Sequence, residues 1–234
     1  MSAPMDASEL RRVLAGVPGW LGDEEAFALY ELARGCTGRG AIVELGSWRG
    51  RSTICLALGS KDGPGVPVVA VDRHMDKTFV DFQENIRRAG IAELVRPIRA
   101  TSDEAFAGFD EPIELIFIDA SHKYEDVRRD FDQWVPLVVE GGTVAMHDTT
   151  WEGSKLVSEE AIYHSSGFRD VRFVPSSTTV GVKAESVTAR DRRQSRRALL
   201  AKRTAELGAH VSRFLPRGLV RLGRRAIASV GGGR

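Results

Sequence analysis

The stretch from Ala41 to Ser52, A-I-V-E-L-G-S-W-R-G-R-S, constrains this chain more than any other. Ala41 to Leu45 is a short apolar run rich in β-branched residues, which suits a parallel strand buried on both faces. Gly46 and Gly50 then bracket a tight turn, and Ser52-Thr53 opens an apolar segment, Ile54 to Leu58, at helical spacing. A strand, a glycine turn and a helix N-terminus form a crevice in which backbone N–H groups and the positive helix end face a ligand. A dinucleotide-binding turn has the spacing G-x-G-x-x-G; G-S-W-R-G after an acidic Glu44 does not match it.

The chain before this stretch, residues 1–40, reads as a helical leader. Leu10, Val13 and Leu14 precede a Pro18-Gly19 break, and Ala26, Phe27, Leu29, Tyr30, Leu32 and Ala33 follow it from an Asp23 cap. After the first helix, Val66 to Val71 reads as a second buried strand ending in Asp72, a carboxylate placed to accept both hydroxyls of a ribose. Lys77 to Ala89 is a helix closed by Gly90, and Val95 to Ala100 is a third strand. Thr101-Ser102-Asp103 follows, before a short helix from Glu104 to Ala107.

Ile113 to Ile118 is a fourth strand and delivers D-A-S-H-K-Y, Asp119 to Tyr124. A helix from Tyr124 to Val138 leads through Gly141-Gly142 into Thr143 to Met146, a fifth strand that delivers H-D-T-T, His147 to Thr150. After a helix over 154–164, Phe168 to Val174 and Thr178 to Lys183 form a hairpin joined by Pro175-Ser176-Ser177. Strands separated by helices predict right-handed βαβ crossovers and a doubly wound α/β sheet with an antiparallel C-terminal hairpin. Its ligands would bind outside the carboxyl ends of the strands. The expected organisation is a helical leader (1–40), a ligand-binding α/β domain (41–184) and a C-terminal extension (185–234).

Three motifs, E-L-G-x-x-x-G, F-I-D-A-S-H-K-Y with Asp130 downstream, and G-G-T-V-A-M-H-D, resemble those of the class I S-adenosylmethionine-dependent methyltransferases, over roughly residues 24–184. E-L-G-S-W-R-G-R-S is similar in particular to the metal-dependent catechol O-methyltransferase branch. Within it, I-D-x-x-H-x-Y and H-D look more like bacterial sugar O-methyltransferases. The resemblance implies a Rossmann-like sheet and S-adenosyl-L-methionine held by Glu44, Gly46, Ser47, Gly50, Ser52, Asp72, Ser102, Asp103 and Asp119. Ser47 and Ser52 would lie near the methionine end. Ser102 and Asp103 fall where the family places adenine contacts, and they equally suit a helix cap.

The resemblance further implies Mg²⁺ on Asp119 and Asp148. Thr149 falls where the pattern has Asn or Asp, and its hydroxyl is a poorer ligand than either. His122 stands where catechol-type enzymes have a lysine general base, and an imidazole accepts a proton near pH 7 without a large shift. His147 is the second candidate, although neighbours on a strand point to opposite faces. Tyr124 and Trp151 either wall an acceptor pocket or pack, and Trp20 is either a lid or a packing aromatic. The acceptor implied is a small polar molecule, a saccharide hydroxyl first, and a homodimer is common in the branch.

The net charge of +1 hides a division, with 20 basic against 29 acidic residues over 1–184 and 13 against 3 over 185–234. The extension offers a basic amphipathic helix twice over, through Leu200, Leu207, Val211, Phe214 and Leu215 and, past Pro216, through Leu219, Val220, Leu222 and Ile227. It suits docking on the acidic domain, disorder, or peripheral contact with anionic lipid. RNA or protein methylation through this extension is the alternative function. It is disfavoured by an acidic domain and by the lack of an aromatic ladder. A non-catalytic cofactor-fold protein is a third class, disfavoured by the intact acidic and histidine set. No apolar run approaches a bilayer span and no signal-peptide core is present, so a cytoplasmic location is expected. Cys36 and Cys55 match no disulfide or metal pattern, and Cys55 belongs to the apolar face of its helix.

Overall fold

A computed structural model describes residues 4–212 of the chain. Seven strands, β1 (Ala41–Leu45), β2 (Val68–Val71), β3 (Val95–Ile98), β4 (Ile113–Ile118), β5 (Val138–Met146), β6 (Phe168–Val174) and β7 (Thr178–Lys183), form one sheet in the order β3-β2-β1-β4-β5-β7-β6. The first five run parallel, and β7 is antiparallel to both β5 and β6. The order reverses between β1 and β4, which opens a crevice at their carboxyl ends.

Register decides what reaches that crevice. Leu45 pairs with Val71 on one side and Ile118 on the other, and Ile118 pairs with Met146. Gly46, Asp72, Asp119 and His147, each one residue past its strand, therefore arrive side by side. Backbone bonds lock the row: Gly46 N–H donates to Val71 (2.8 Å), Asp119 N–H to Leu45 (2.8 Å) and His147 N–H to Ile118 (3.0 Å).

Eight helices cover the sheet: α1 (Ala7–Val13), α2 (Asp23–Arg34), α3 (Arg51–Lys61), α4 (Asp76–Arg88), α5 (Ser102–Phe106), α6 (Tyr124–Trp134), α7 (Glu152–Ser158) and α8 (Ala189–Ser212). The period-two alternation of the strands divides the core between the two faces. Ile42, Leu115 and Phe117 meet Leu29, Leu56 and Phe82 of α2 to α4, whereas Val43, Ile116 and Ile118 meet Trp134 and Val157 of α6 and α7. Cys55 is buried in the first of these layers.

Several boundaries differ from expectation, and prolines explain two of them. The second strand begins at Val68 because Pro67 has no N–H for the ladder, and α6 stops at Trp134, ahead of Pro136 in a 3₁₀ turn over Val135–Leu137. Gly22, not Asp23, caps α2; Asp23 is its first residue and pairs with Arg11 at 2.9 Å. The fifth strand starts five residues early, at Val138, and runs through Gly141 and Gly142 across a register shift against β4. Past α7 the chain widens into a π-turn over Glu159–Tyr163, closed by His164 N–H to the Glu159 carbonyl (3.0 Å).

The extension docks as α8 on β6 and this π-turn. Ser195 Oγ donates to the Tyr163 carbonyl (2.7 Å), and the fully buried Lys202 donates to Glu159 Oε1 (3.0 Å). The second amphipathic segment expected past Pro216, and the side chains of Val211, Phe214 and Leu215, lie outside the described residues. Among the described residues no helix is long and apolar enough to cross a membrane.

Candidate active site

The turn from β1 to α3 is built on left-handed backbone. Gly46 has φ +89°, and a Cβ there would lie 2.3 Å from the Asp119 carbonyl oxygen, so only glycine lets the ends of β1 and β4 close together. Gly50, at φ +85°, starts α3. Asp72 holds the turn from the next strand, its Oδ2 accepting from the N–H groups of Ser47 (3.0 Å) and Trp48 (2.8 Å) and its Oδ1 from His74 (2.7 Å).

Two adjoining cavities flank this turn. One of about 480 Å³ is lined by Gly46, Asp72, Ser102, Asp103 and Ser121, among others. The other, about 250 Å³, is lined by Ser47, Ser52, Asp119, His122, His147 and Asp148 and shares Gly46 and Asp72 with the first. The predicted ribose, adenine and methionine-end residues thus line one continuous crevice. Ser102 and Asp103 are not the cap of α5. Thr101 is, in a reciprocal capping box with Glu104, which leaves Ser102 Oγ donating to Asp130 and Asp103 pairing with Arg129 (3.2 Å). Because Asp72 serves the turn as well as the cavity, Asp72→Ala is expected to weaken S-adenosylhomocysteine binding by about 1.5–3 kcal/mol. Unchanged affinity by calorimetry would show that the crevice closes without it.

Glu44 departs from its predicted role in direct cofactor contact. It is fully buried and lines neither cavity; Thr53 Oγ1, one turn into α3, donates to it at 2.5 Å. Its function in the turn is to hold α3 against β1. Burial pushes its carboxyl up to about 8, although Ser52 and Thr53 pull the other way. A carboxyl raised in the folded state contributes stability that is full below the unfolded value and lost as pH rises through about 8. Glu44→Gln is therefore expected to gain in melting temperature relative to the parent between about pH 5 and pH 9. Melting curves whose separation is constant over that range would refute it.

The smaller cavity holds a cluster of acids and histidines. His147 Nδ1 lies 3.1 Å from Asp119 Oδ1 and 3.5 Å from Asp148 Oδ2, and its Nε2 lies 3.5 Å from Glu25 Oε1. Burial disfavours its charge, yet the hydrogen bond to Asp119 and the nearby carboxylates of Asp148 and Glu25 win and push the imidazole up to about 12. Burial raises the Asp119 carboxyl, and His147 opposes that shift. For Asp148 the balance reverses, His147 and His122 outweighing burial and lowering it. His122 is half-exposed, and its Nε2 lies 2.7 Å from Asp148 Oδ2. The ligand atoms of Asp119, His122 and Asp148 all fall within 4.8 Å of one another.

Four predicted roles change. Thr149 is buried and its hydroxyl donates to the Ser177 carbonyl (2.7 Å) and meets Thr179 Oγ1 (2.8 Å), so it is turned away from the two aspartates and supplies no metal ligand. His147 and Asp148 both enter the cluster. The strand ends at Met146 and Asp148 is left-handed (φ +51°), so the alternation of a strand no longer applies. His147 is buried with its two ring nitrogens facing Asp119 and Glu25, so it is placed to orient the carboxylates rather than to meet an acceptor. Tyr124 does not line the cavity, because its hydroxyl donates to Glu160 (2.9 Å). Trp151 is exposed beside His122, with ring centroids 6.1 Å apart, and lies outside the lining.

Glu25 is the residue the sequence reading missed. It is fully buried, accepting from Ser177 N–H (2.9 Å), Thr178 Oγ1 (2.8 Å) and Gly22 N–H (3.0 Å). A glutamate on the same helical face as Ala26, Leu29 and Ala33 was the available signal. Arg51 also acts on the site, donating to the carbonyls of Leu14, Val17 and Leu21 and so fixing the loop that carries Trp20. Trp20 is 80% exposed and stacks on Trp48 at 4.7 Å, where both line the smaller cavity.

Residues 43–149 match the model of a methyltransferase domain. The O-methyltransferase from Bacillus cereus, solved with S-adenosylhomocysteine, superposes with a TM-score of 0.55 at 21% identity, covering 77% of this chain and 92% of that one. This chain has the Rossmann-like methyltransferase fold of that protein. The O-methyltransferase TomG from Streptomyces achromogenes, solved with S-adenosylmethionine, superposes on this methyltransferase fold at TM-score 0.56 and 18% identity, over 76% of this chain and 87% of TomG. An uncharacterized Sinorhizobium fredii protein is 31% identical over 117 residues, 46% of this chain but only 13% of that protein's length.

Proposed function

We propose that this protein is an S-adenosylmethionine-dependent O-methyltransferase for a small polar acceptor, with a saccharide hydroxyl as the preferred class. The observation that carries the reading is the meeting of two cavities at Gly46 and Asp72, one lined by Ser102 and Asp103, the other by Asp119, His122 and Asp148. Methyl transfer from a sulfonium to a hydroxyl is an in-line displacement, so the chain must hold donor and acceptor end to end and take up one proton. The first cavity suits the adenosine end of the cofactor and the second the methionine end and the acceptor. Trp20, stacked on Trp48, offers the acceptor a flat wall.

The cluster also fits Mg²⁺. Glu25, Asp119 and Asp148 set three carboxylates against the single buried imidazolium of His147, and Asp119 and Asp148 offer the oxygen atoms that a hard cation takes. A divalent cation bound there would lower the pKa of an acceptor hydroxyl. The chain's own residues do the rest. His147 orients both aspartates, and Asp148, which can only accept, orients His122 through a proton on Nε2, leaving Nδ1 to receive the acceptor proton.

Calorimetry should show S-adenosylhomocysteine binding and no binding of NAD. Mass spectrometry of a panel of sugars, catechols and RNA, with and without Mg²⁺, should show a one-methylene mass gain on a sugar. Binding of NAD alone would sink the cofactor reading; a mass gain on RNA alone would replace the acceptor.

A further inference from the structure

Helix α8 presents a face that the other described residues leave unused. Its inward residues, Asp191, Ser195, Leu199, Lys202 and Glu206, recur at three- and four-residue spacing and are shielded or buried against the domain. The opposite stripe, Arg190, Arg193, Arg197, Leu200, Thr204 and Leu207, has the same spacing and forms one line along about 26 Å of helix. All six are exposed, Leu200 at 62% and Leu207 at 65%.

Charge and shape together say what covers this stripe. Among the described residues, the guanidinium groups of Arg190, Arg192, Arg193, Arg196 and Arg197 have no carboxylate within 4.0 Å, whereas Arg203 on the same helix is bound to Glu159 at 3.1 Å. Five unpaired cations on about two turns repel one another, and an anionic partner relieves the repulsion. Arg192 and Arg196 also line a cleft of about 450 Å³ with His164, Ser165, Ser166 and one carboxylate, Asp191, large enough in volume for a phosphate-bearing headgroup. Residues 213–234 add six arginines and no acid, while residues 1–184 carry nine more acidic than basic residues. The basic charge is therefore concentrated in the C-terminal part of the sequence. Nucleic acid would match the charge, but the stripe has no aromatic on which a base could stack and has two exposed leucines that such a partner would leave wet. A bilayer interface accepts both, with headgroups for the arginines and the acyl boundary for the leucines.

We propose that α8 docks the protein on an anionic lipid bilayer through the stripe from Arg190 to Leu207, with Arg192 and Arg196 taking headgroup phosphates at the rim of the cleft. The full chain should sediment with phosphatidylcholine vesicles containing phosphatidylglycerol at about 50 mM salt, be released at about 300 mM, and ignore phosphatidylcholine alone. With residues 213–234 intact, Arg193→Glu/Arg197→Glu should weaken sedimentation by about 30-fold, at roughly five-fold per basic contact. Leu200→Glu/Leu207→Glu should weaken it as well. Affinity for S-adenosylhomocysteine and the far-ultraviolet dichroism should stay unchanged in both; if the glutamate variant fails to fold, Arg193→Gln/Arg197→Gln decides. Sedimentation of the arginine variants at the parent level, absence of any phosphatidylglycerol dependence, or tighter binding to an RNA oligonucleotide than to vesicles at the same salt would each overturn the proposal.

Discussion

Asp148→Ala is expected to abolish turnover, lowering kcat by roughly 10³-fold or more while leaving S-adenosylhomocysteine affinity within about threefold. The size of the effect follows from how many groups one carboxylate serves. Asp148 Oδ2 lies 2.7 Å from His122 and 3.5 Å from His147, and its Oδ1 accepts from Ser177 Oγ at 3.2 Å. Removing it frees the His122 ring, takes one of three carboxylates from a buried imidazolium, and takes an oxygen donor from the group that fits a cation. EDTA treatment separates these contributions and should itself abolish turnover. Full activity in EDTA with an inactive Asp148→Ala would leave Asp148 as the orienting partner of His122 and remove the metal. A variant retaining more than about a tenth of parental kcat would remove Asp148 from the reaction altogether.

His122→Ala is expected to lower kcat by roughly 10²–10⁴ with cofactor affinity nearly intact. His122 is half-exposed at the mouth of the cavity, so its loss opens no core void, and the effect should appear in turnover rather than in melting temperature. His147 is poorly placed to take over, because it is buried with Nδ1 3.1 Å from Asp119 Oδ1 and Nε2 3.5 Å from Glu25 Oε1. A His122→Ala enzyme with parental kcat would mean that the acceptor proton leaves directly to solvent. Rescue of His122→Ala by added imidazole would support the base assignment independently of any structural change.

Most of the sheet was legible because it is local chemistry. Ile113 to Ile118, a nearly continuous apolar run, and Phe168 to Val174 and Thr178 to Lys183, two segments bounding the Pro175-Ser176-Ser177 turn, form strands over those spans. Gly46 and Gly50 announced the turn for the same reason: the left-handed backbone they adopt disfavours other residues. The strand-end positions of Asp72, Asp119 and Asp148 were likewise readable, because a strand boundary fixes which residue is delivered to the crevice. The boundaries that moved did so where a proline removed a donor, at Pro67 and Pro136.

The direction in which each side chain points required the tertiary structure. Thr149 and Asp148 are neighbours in the chain, yet Thr149 is claimed by Ser177 and Thr179 from the hairpin 28 and 30 residues on, while Asp148 turns into the cavity on a left-handed residue. Glu25 reaches His147 from the leader across more than a hundred residues, and nothing near it in the sequence marks it as part of a charge cluster. The carboxylates around His147 outweigh its burial and favour its charge, whereas burial pushes Glu44 up to about 8 with Thr53 as its partner. The sequence by itself determined the backbone that forms the crevice, through steric rules that act over a few residues. Which groups meet there, and with what charge, was decided only in the fold, because desolvation and hydrogen bonding depend on neighbours that the chain brings from far away.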